Sequence, residues 1–111
     1  MTPDDFRRLA LDMSGSSESS HMSHPDFRVR GKVFATLGYP DKAWGMVKLT
    51  PEQQRAFVQS DSAAFVPVKG AWGERGCTNV RLSKAREALL QEALAAASSN
   101  IPVGAARKRT R

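Results

Sequence analysis

Hydrophobic and polar residues alternate on both sides of a glycine between residues 24 and 37. The hydrophobic positions are Phe27, Val29, Val33, Ala35 and Leu37. A period of two is typical of strands with one buried face, so this segment predicts a β-hairpin that turns at Gly31. The polar positions nearest the turn carry the cations Arg28, Arg30 and Lys32.

Spacings of three and four residues predict three helices. The first follows Thr2, and its hydrophobic residues form one stripe: Phe6, Leu9, Ala10 and Met13. The second covers about residues 51–59 and begins at Thr50-Pro51-Glu52-Gln53, where the threonine and the glutamine can cap each other. The third, rich in alanine and leucine, covers about residues 84–97 after Ser83 as the N-cap.

Shorter hydrophobic runs predict further strands at residues 44–49, 64–68 and 77–82. Residues 14–20 have no periodicity and residues 70–76 are rich in glycine, so both are predicted to be loops. The order is α-β-β-β-α-β-β-α, and the short links between strands favour an antiparallel sheet with helices packed on one side. We expect one α+β domain over residues 1–97 and a flexible tail over residues 98–111.

The charge of the chain is unevenly distributed. Of a formal net charge of +6, the tail supplies +4 through Arg107, Lys108, Arg109 and Arg111. The single cysteine, Cys77, cannot form an internal disulfide, and no hydrophobic run approaches the roughly 20 residues that cross a bilayer. We therefore expect a cytoplasmic monomer with no membrane association.

Two basic segments predict contacts with nucleic acid. The hairpin cations Arg28, Arg30 and Lys32 are placed to contact phosphates, and the basic tail can lie along a polyanion. Binding of this kind would be nonspecific. Two ordinary alternatives stay open: the hairpin cations keep a strand face soluble, and the tail is only a solubilising end.

A third candidate surface surrounds Trp72. A tryptophan in a glycine-rich loop can stack on a planar ligand while Arg75 pairs with an anion, and Lys48 of the third strand can project into the same region. This surface favours an alternative function, a module that binds a protein or a small ligand. The competing interpretation is that Trp72 packs into the edge of the core.

Catalytic and metal-binding functions find little support in the sequence. His21 and His24 are spaced like some metal ligands, but a metal needs three or four ligands and no further cluster lies nearby. Cys77 matches no nucleophile motif, and the common glycine-rich phosphate loops are missing from the sequence. We therefore expect a non-catalytic protein with neither a metal nor a cofactor.

Four segments of the chain resemble the MmcQ/YjbR-like family of small bacterial proteins. They are HPDFRVRGKVFATL at 24–37, VKLTPEQQ at 47–54, WGERGCT at 72–78 and NVRL at 79–82. The resemblance covers about residues 4–97. It implies a fold similar to that of the frataxin-like CyaY proteins, and the family is often described as DNA-binding because its fold looks like a double-wing domain of a phage transcription factor.

The chain departs from the family pattern at two places. Members typically read like LPGVEE before the first strand, where this chain has the serine-rich segment at 13–19. Cys77 stands where a second tryptophan is common, which alters any surface shared with Trp72. The basic tail lies outside the resemblance, so the resemblance implies nothing about its function.

Overall fold

The computed structural model describes residues 1–21 and 23–102. Within these residues the chain forms four helices and six strands. In chain order they are α1 (Pro3–Leu11), β1 (Ser16–His21), β2 (His24–Val29), β3 (Lys32–Leu37), β4 (Trp44–Lys48), α2 (Pro51–Ser60), β5 (Phe65–Pro67), α3 (Ala71–Glu74), β6 (Cys77–Arg81) and α4 (Glu87–Ser99).

The strands form one antiparallel sheet in the order β1-β2-β3-β4-β6-β5, and the α+β class is confirmed. Register places two rows of buried residues across the same face. The first row is Phe27, Ala35, Val47 and Thr78, and the second is Leu37, Gly45, Val80 and Phe65. The alternation that predicted the hairpin therefore marks the core face of the sheet except at Val33. Val33 is only half-buried, and the neighbouring Phe34 is fully buried, because the register of the hairpin shifts between Phe27 and Arg28.

Helices α1 and α4 cover this face. Phe6 is fully buried and lies against Gly45, where an added methyl group would come within 2.6 Å of the ring. The missing side chain of Gly45 thus lets α1 approach the sheet. Helix α4 buries the residues Leu90, Ala93, Leu94 and Ala97.

Helices α1 and α2 each start with a proline after a threonine N-cap. Both begin with a capping box, as predicted for α2. The Gln53 backbone N–H donates to Thr50 Oγ1 at 3.1 Å, and the Thr50 N–H donates to Gln53 Oε1 at 2.9 Å. Thr2 and Asp5 make the equivalent pair at the start of α1. In each case the box satisfies backbone donors that have no partner inside the helix.

The prediction of a loop over residues 14–20 is wrong. Ser16–His21 forms the edge strand β1, which pairs in continuous register with β2. Its residues are mostly polar because the strand is exposed, and main-chain hydrogen bonds to β2 supply the pairing that hydrophobic periodicity would otherwise signal.

Three other boundaries differ from the predictions. Residues 71–74 form a short helix instead of part of a loop. Helix α4 begins after Arg86 instead of Ser83, because turn hydrogen bonds from Lys84 and Ala85 to the preceding carbonyls occupy that segment. The packed part of the chain also reaches Pro102, beyond the predicted boundary at 97, since Ile101 is buried. None of the helices within the described ranges is long and hydrophobic enough to span a membrane.

Candidate functional site

Arg28 forms an ion pair with Asp26 within the fold. Its Nε and a terminal nitrogen donate to the two carboxylate oxygens of Asp26 at 2.9 and 3.1 Å. The Asp26 side chain is only 3% exposed, and the pair raises the pKa of Arg28, chiefly through the hydrogen bonds. Because the carboxylate compensates its charge, Arg28 is a poor candidate for phosphate contact.

Arg30, in the turn itself, is also held by the fold. Its backbone is left-handed at φ 52°, and its guanidinium donates to the carbonyl oxygens of Ile101 at 2.9 Å and Pro102 at 3.0 Å. These carbonyls follow the end of α4, where a cation also complements the helix dipole. Arg30 therefore fastens the end of α4 to the hairpin tip.

The third hairpin cation, Lys32, lines a surface cleft of about 530 Å³. The cleft lies at the end of the sheet where β3 begins and β4 ends, and its other walls come from α4 and the segment after α3. Its cations are Lys32, Lys48 and Arg75. None of the described residues that line it is acidic. The structure thus brings together one hairpin cation and two from the Trp72 region, and leaves Arg28 out of the lining.

Trp72 stands beside this cleft and is 58% exposed, so the interpretation that it packs into the core is wrong. Lys48 Nζ lies 5.7 Å from the centre of the indole ring, and Arg75 Cζ lies 5.6 Å from it. Both distances are within the range of cation–π attraction. The predicted association of Lys48, Arg75 and Trp72 is therefore present in the geometry.

Tight backbone packing fixes the position of α3. A methyl group at Gly73 would collide with the carbonyl of Val68, and one at Gly76 would collide with the carbonyl of Leu49. Gln54 of α2 donates to the carbonyl oxygens of Gly73 and Cys77, at 3.0 Å each. Because its backbone is held in this way, α3 presents Trp72 from a rigid base.

Cys77 lies directly opposite Lys48 in the register of β4 and β6 and is only 6% exposed. Burial raises the pKa of its thiol, and the positive charges of Lys48 and Arg75 partly oppose that rise. The thiol is therefore protonated at neutral pH, which suits a small buried residue better than a nucleophile. Across the described ranges, no group of three or more His, Cys, Asp or Glu side chains is arranged to hold a metal ion.

The tail cations Arg107, Lys108, Arg109 and Arg111 lie outside the described residues. The residues that precede the tail are informative, because Asn100 and Ile101 line the cleft and Pro102 is bound by Arg30. The described part of the chain therefore ends at the rim of the cleft.

Sequence reasoning missed two residues that shape this region. Asp26 neutralises Arg28, and its position two residues away on the same strand face was the available signal. Asn100 donates from Nδ2 to the Lys48 carbonyl at 3.2 Å and to Gln53 Oε1 at 2.8 Å, joining α4 to the end of β4. No sequence pattern indicated that contact, because it joins residues 52 positions apart.

Comparison with known proteins adds a family to this geometry. The family model described as YjbR matches residues 11–98. The chain belongs to the YjbR family. The predicted resemblance to YjbR proteins is thereby confirmed.

One solved structure supports the fold of this YjbR protein. The crystal structure of the Deinococcus radiodurans protein DR2400, with the domain DUF419, matches with a TM-score of 0.75 at 18% sequence identity. The match covers 98% of this chain and 86% of that chain. At this identity the likeness concerns the fold. A comparison with curated proteins found no match.

Proposed function

We propose that this YjbR protein is a non-catalytic nucleic-acid-binding protein that contacts phosphates through the cations of the cleft. One observation carries the proposal: Lys32, Lys48 and Arg75 come from three separate elements and line the same cleft. Within residues 1–21 and 23–102, none of these three side chains forms an ion pair. A polyanion would supply the missing counter-charge.

The number of cations sets the expected strength of binding. Each phosphate contact releases condensed counterions, so three contacts give a log–log salt slope of about −2.7 on duplex DNA. Such binding is weak and nonspecific, because phosphates carry no sequence information. If the four tail cations engaged the same molecule, the slope would approach −6 or so.

Arg28 and Arg30 support this interface instead of forming it. Arg28 is neutralised by Asp26, and Arg30 holds Ile101 and Pro102 against the hairpin tip. Pro102, the last described residue before the tail cations, is thereby held near the rim of the cleft. We therefore propose that the cleft and the tail act on one bound polyanion.

Titration of labelled duplex DNA at two salt concentrations tests the proposal. We compare the wild type with the triple variant Lys32→Gln, Lys48→Gln, Arg75→Gln. The control triple variant removes the same charge at the opposite end of the sheet: Lys42→Gln, Lys84→Gln, Arg86→Gln. We expect the cleft variant to lose about 10-fold or more in affinity at low salt and the control to lose far less. Equal losses, or no binding by the wild type, would refute the proposal.

A shortened chain separates the domain from its tail. The chain should end at Pro102, because this end point keeps Ile101 buried and retains both contacts of Arg30. We expect weaker binding with a shallower salt slope that remains sensitive to the cleft variant. Complete loss of binding would show that the tail alone binds DNA.

The exposure of Trp72 favours a second candidate function, a module for a small planar anion or a protein. An exposed tryptophan next to two cations suits a ligand with an aromatic ring and a negative group. Titration with an aromatic carboxylate or a mononucleotide, followed by tryptophan emission, tests this candidate. Saturation by such a ligand together with failure to bind DNA would replace the leading proposal.

A further inference from the structure

We propose that the site binds single-stranded nucleic acid in preference to duplex, with one unpaired base stacked on Trp72. This inference rests on the proposed function and assigns it a substrate class. It follows from the position of one exposed aromatic ring beside the cationic cleft. The cations alone do not discriminate, since single strands and duplexes both offer phosphates.

Trp72 exposes its large aromatic ring at the surface. It stands outside the buried core, and a tryptophan ring is among the largest hydrophobic surfaces a side chain can offer. The other tryptophan, Trp44, shows the contrast: it is half-buried, and the guanidinium of Arg81 lies 4.4 Å from its ring centre. Trp72 is therefore the better candidate for contact with a ligand.

The rigid attachment of α3 makes Trp72 suitable as a stacking platform. The backbone contacts at Gly73 and Gly76, together with the hydrogen bonds from Gln54, fix the helix against the strands that carry the cleft. Little conformational freedom of the backbone remains to be lost when a base stacks. A fixed platform binds better than a flexible one because ordering it costs less.

Stacking a base requires a change at the two cations near the ring. Lys48 and Arg75 each contact the indole at cation–π distance, an attraction equivalent to about a 2- to 5-fold effect at an exposed site. A stacked base contributes about 5- to 100-fold in affinity. Moving one cation from the ring to a phosphate while a base takes its place is therefore favourable.

A duplex cannot use this platform in the same way. Its base faces are already stacked on each other, so Trp72 gains a partner only at an end or after a base has left the stack. A single strand offers unstacked bases joined by the phosphates that the cleft cations contact. The aromatic ring is thus the element that would discriminate between the two forms.

Competition binding tests the inference. A labelled single strand of about 12 nucleotides is bound to the full chain and displaced with unlabelled single strand or with duplex of the same length. We compare Trp72→Ala and Trp72→Phe with the control Trp44→Phe, and check that each variant keeps the wild-type unfolding midpoint. We expect Trp72→Ala to weaken single-strand binding about 5- to 100-fold and duplex binding less than about 2-fold. Trp72→Phe should retain most of the affinity, and Trp44→Phe all of it.

Tryptophan emission provides a second readout. In Trp44→Phe, the remaining Trp72 should be quenched when the single strand binds, whereas Trp72→Phe should show little quenching. Equal losses on both nucleic acids in Trp72→Ala, or a preference of the wild type for duplex, would overturn the inference and leave the phosphate-binding proposal intact. Failure to bind either nucleic acid would overturn both.

Discussion

The two turns at this end of the sheet are built in opposite ways. The hairpin turn at Gly31 has open space around its backbone, yet Arg28 and Arg30 beside it are bound within the fold. The turn around α3 has its glycine backbone pressed against the residues that follow β4 and β5, yet Trp72 and Arg75 project to the surface. A tightly packed backbone with available side chains is the arrangement that a binding surface requires.

This contrast changes how many cations of the hairpin are available for binding. Counted by sequence, it offers three charges near one turn. In the structure only Lys32 of these three cations is available to a partner, because Arg28 neutralises a buried carboxylate and Arg30 fastens the end of α4. Charge density in a sequence therefore overestimates the charge that a partner can meet.

The largest expected effect comes from adding a methyl group at the packed turn. Gly76→Ala should lower the free energy of unfolding by more than about 3 kcal/mol, because its φ of 110° is strained for alanine and the methyl group meets the Leu49 carbonyl. Gly31→Ala is the matched change at the open turn and should cost about 1 kcal/mol. Urea denaturation measures both. Similar losses at the two positions would contradict the contrast between the turns.

The next effect separates structural cations from surface cations. Arg28→Gln should lower the urea midpoint, since it leaves the buried Asp26 carboxylate without its cation. Lys32→Gln, on the same hairpin, should change the free energy of unfolding by less than about 0.5 kcal/mol. If the two variants unfold at the same midpoint, Arg28 has no special structural role.

The salt dependence of DNA binding should separate the cleft cation Lys48 from the structural cation Arg28, with a smaller effect. Lys48→Gln should reduce the magnitude of the log–log slope for duplex binding by about 0.9, the value of one lost phosphate contact. Arg28→Gln, measured under conditions where the variant is folded, should leave the slope unchanged. A reduced slope in Arg28→Gln would return the hairpin arginine to the interface.

The smallest effect concerns Cys77. Its pKa in the folded protein is raised by burial above the ordinary value of 9.0, so its contribution to stability is complete below that pH and is lost as the pH rises further. Cys77→Ala should lack this alkaline decline in the free energy of unfolding. Lys48→Gln should slow alkylation of Cys77 by iodoacetamide at a fixed alkaline pH, because one of the charges that favour the thiolate is gone. An unchanged or faster rate would show that Lys48 does not act on the thiol.

Much of the fold could be predicted because its signals are local. Alternation from Phe27 to Leu37 gave the hairpin, and Thr50 with Gln53 gave the start of α2. Strand β1 was not predictable in this way, because an exposed edge strand carries no hydrophobic period and is stabilised by its neighbour's backbone.

The candidate site was predictable as a set of residue types and not as an arrangement. The sequence indicated Lys48, Trp72 and Arg75 together, and their proximity is present in the structure. The hydrogen bonds from Arg30 to the carbonyls of Ile101 and Pro102 join residues that are 71 or more positions apart in the sequence. Contacts of that separation follow from the packing of α4 on the sheet, which no local pattern records.

The hydrogen bonds from Arg30 to the carbonyls of Ile101 and Pro102 have a practical consequence for labelling or immobilising this protein. In a chain that ends at Pro102, a peptide or dye attached to that end would begin next to Asn100 and Ile101, which line the cleft. An amino-terminal fusion extends instead from the start of α1, a helix outside the cleft lining. A histidine-rich or acidic tag at Pro102 would therefore disturb binding assays of the shortened chain, and an amino-terminal tag is the better choice.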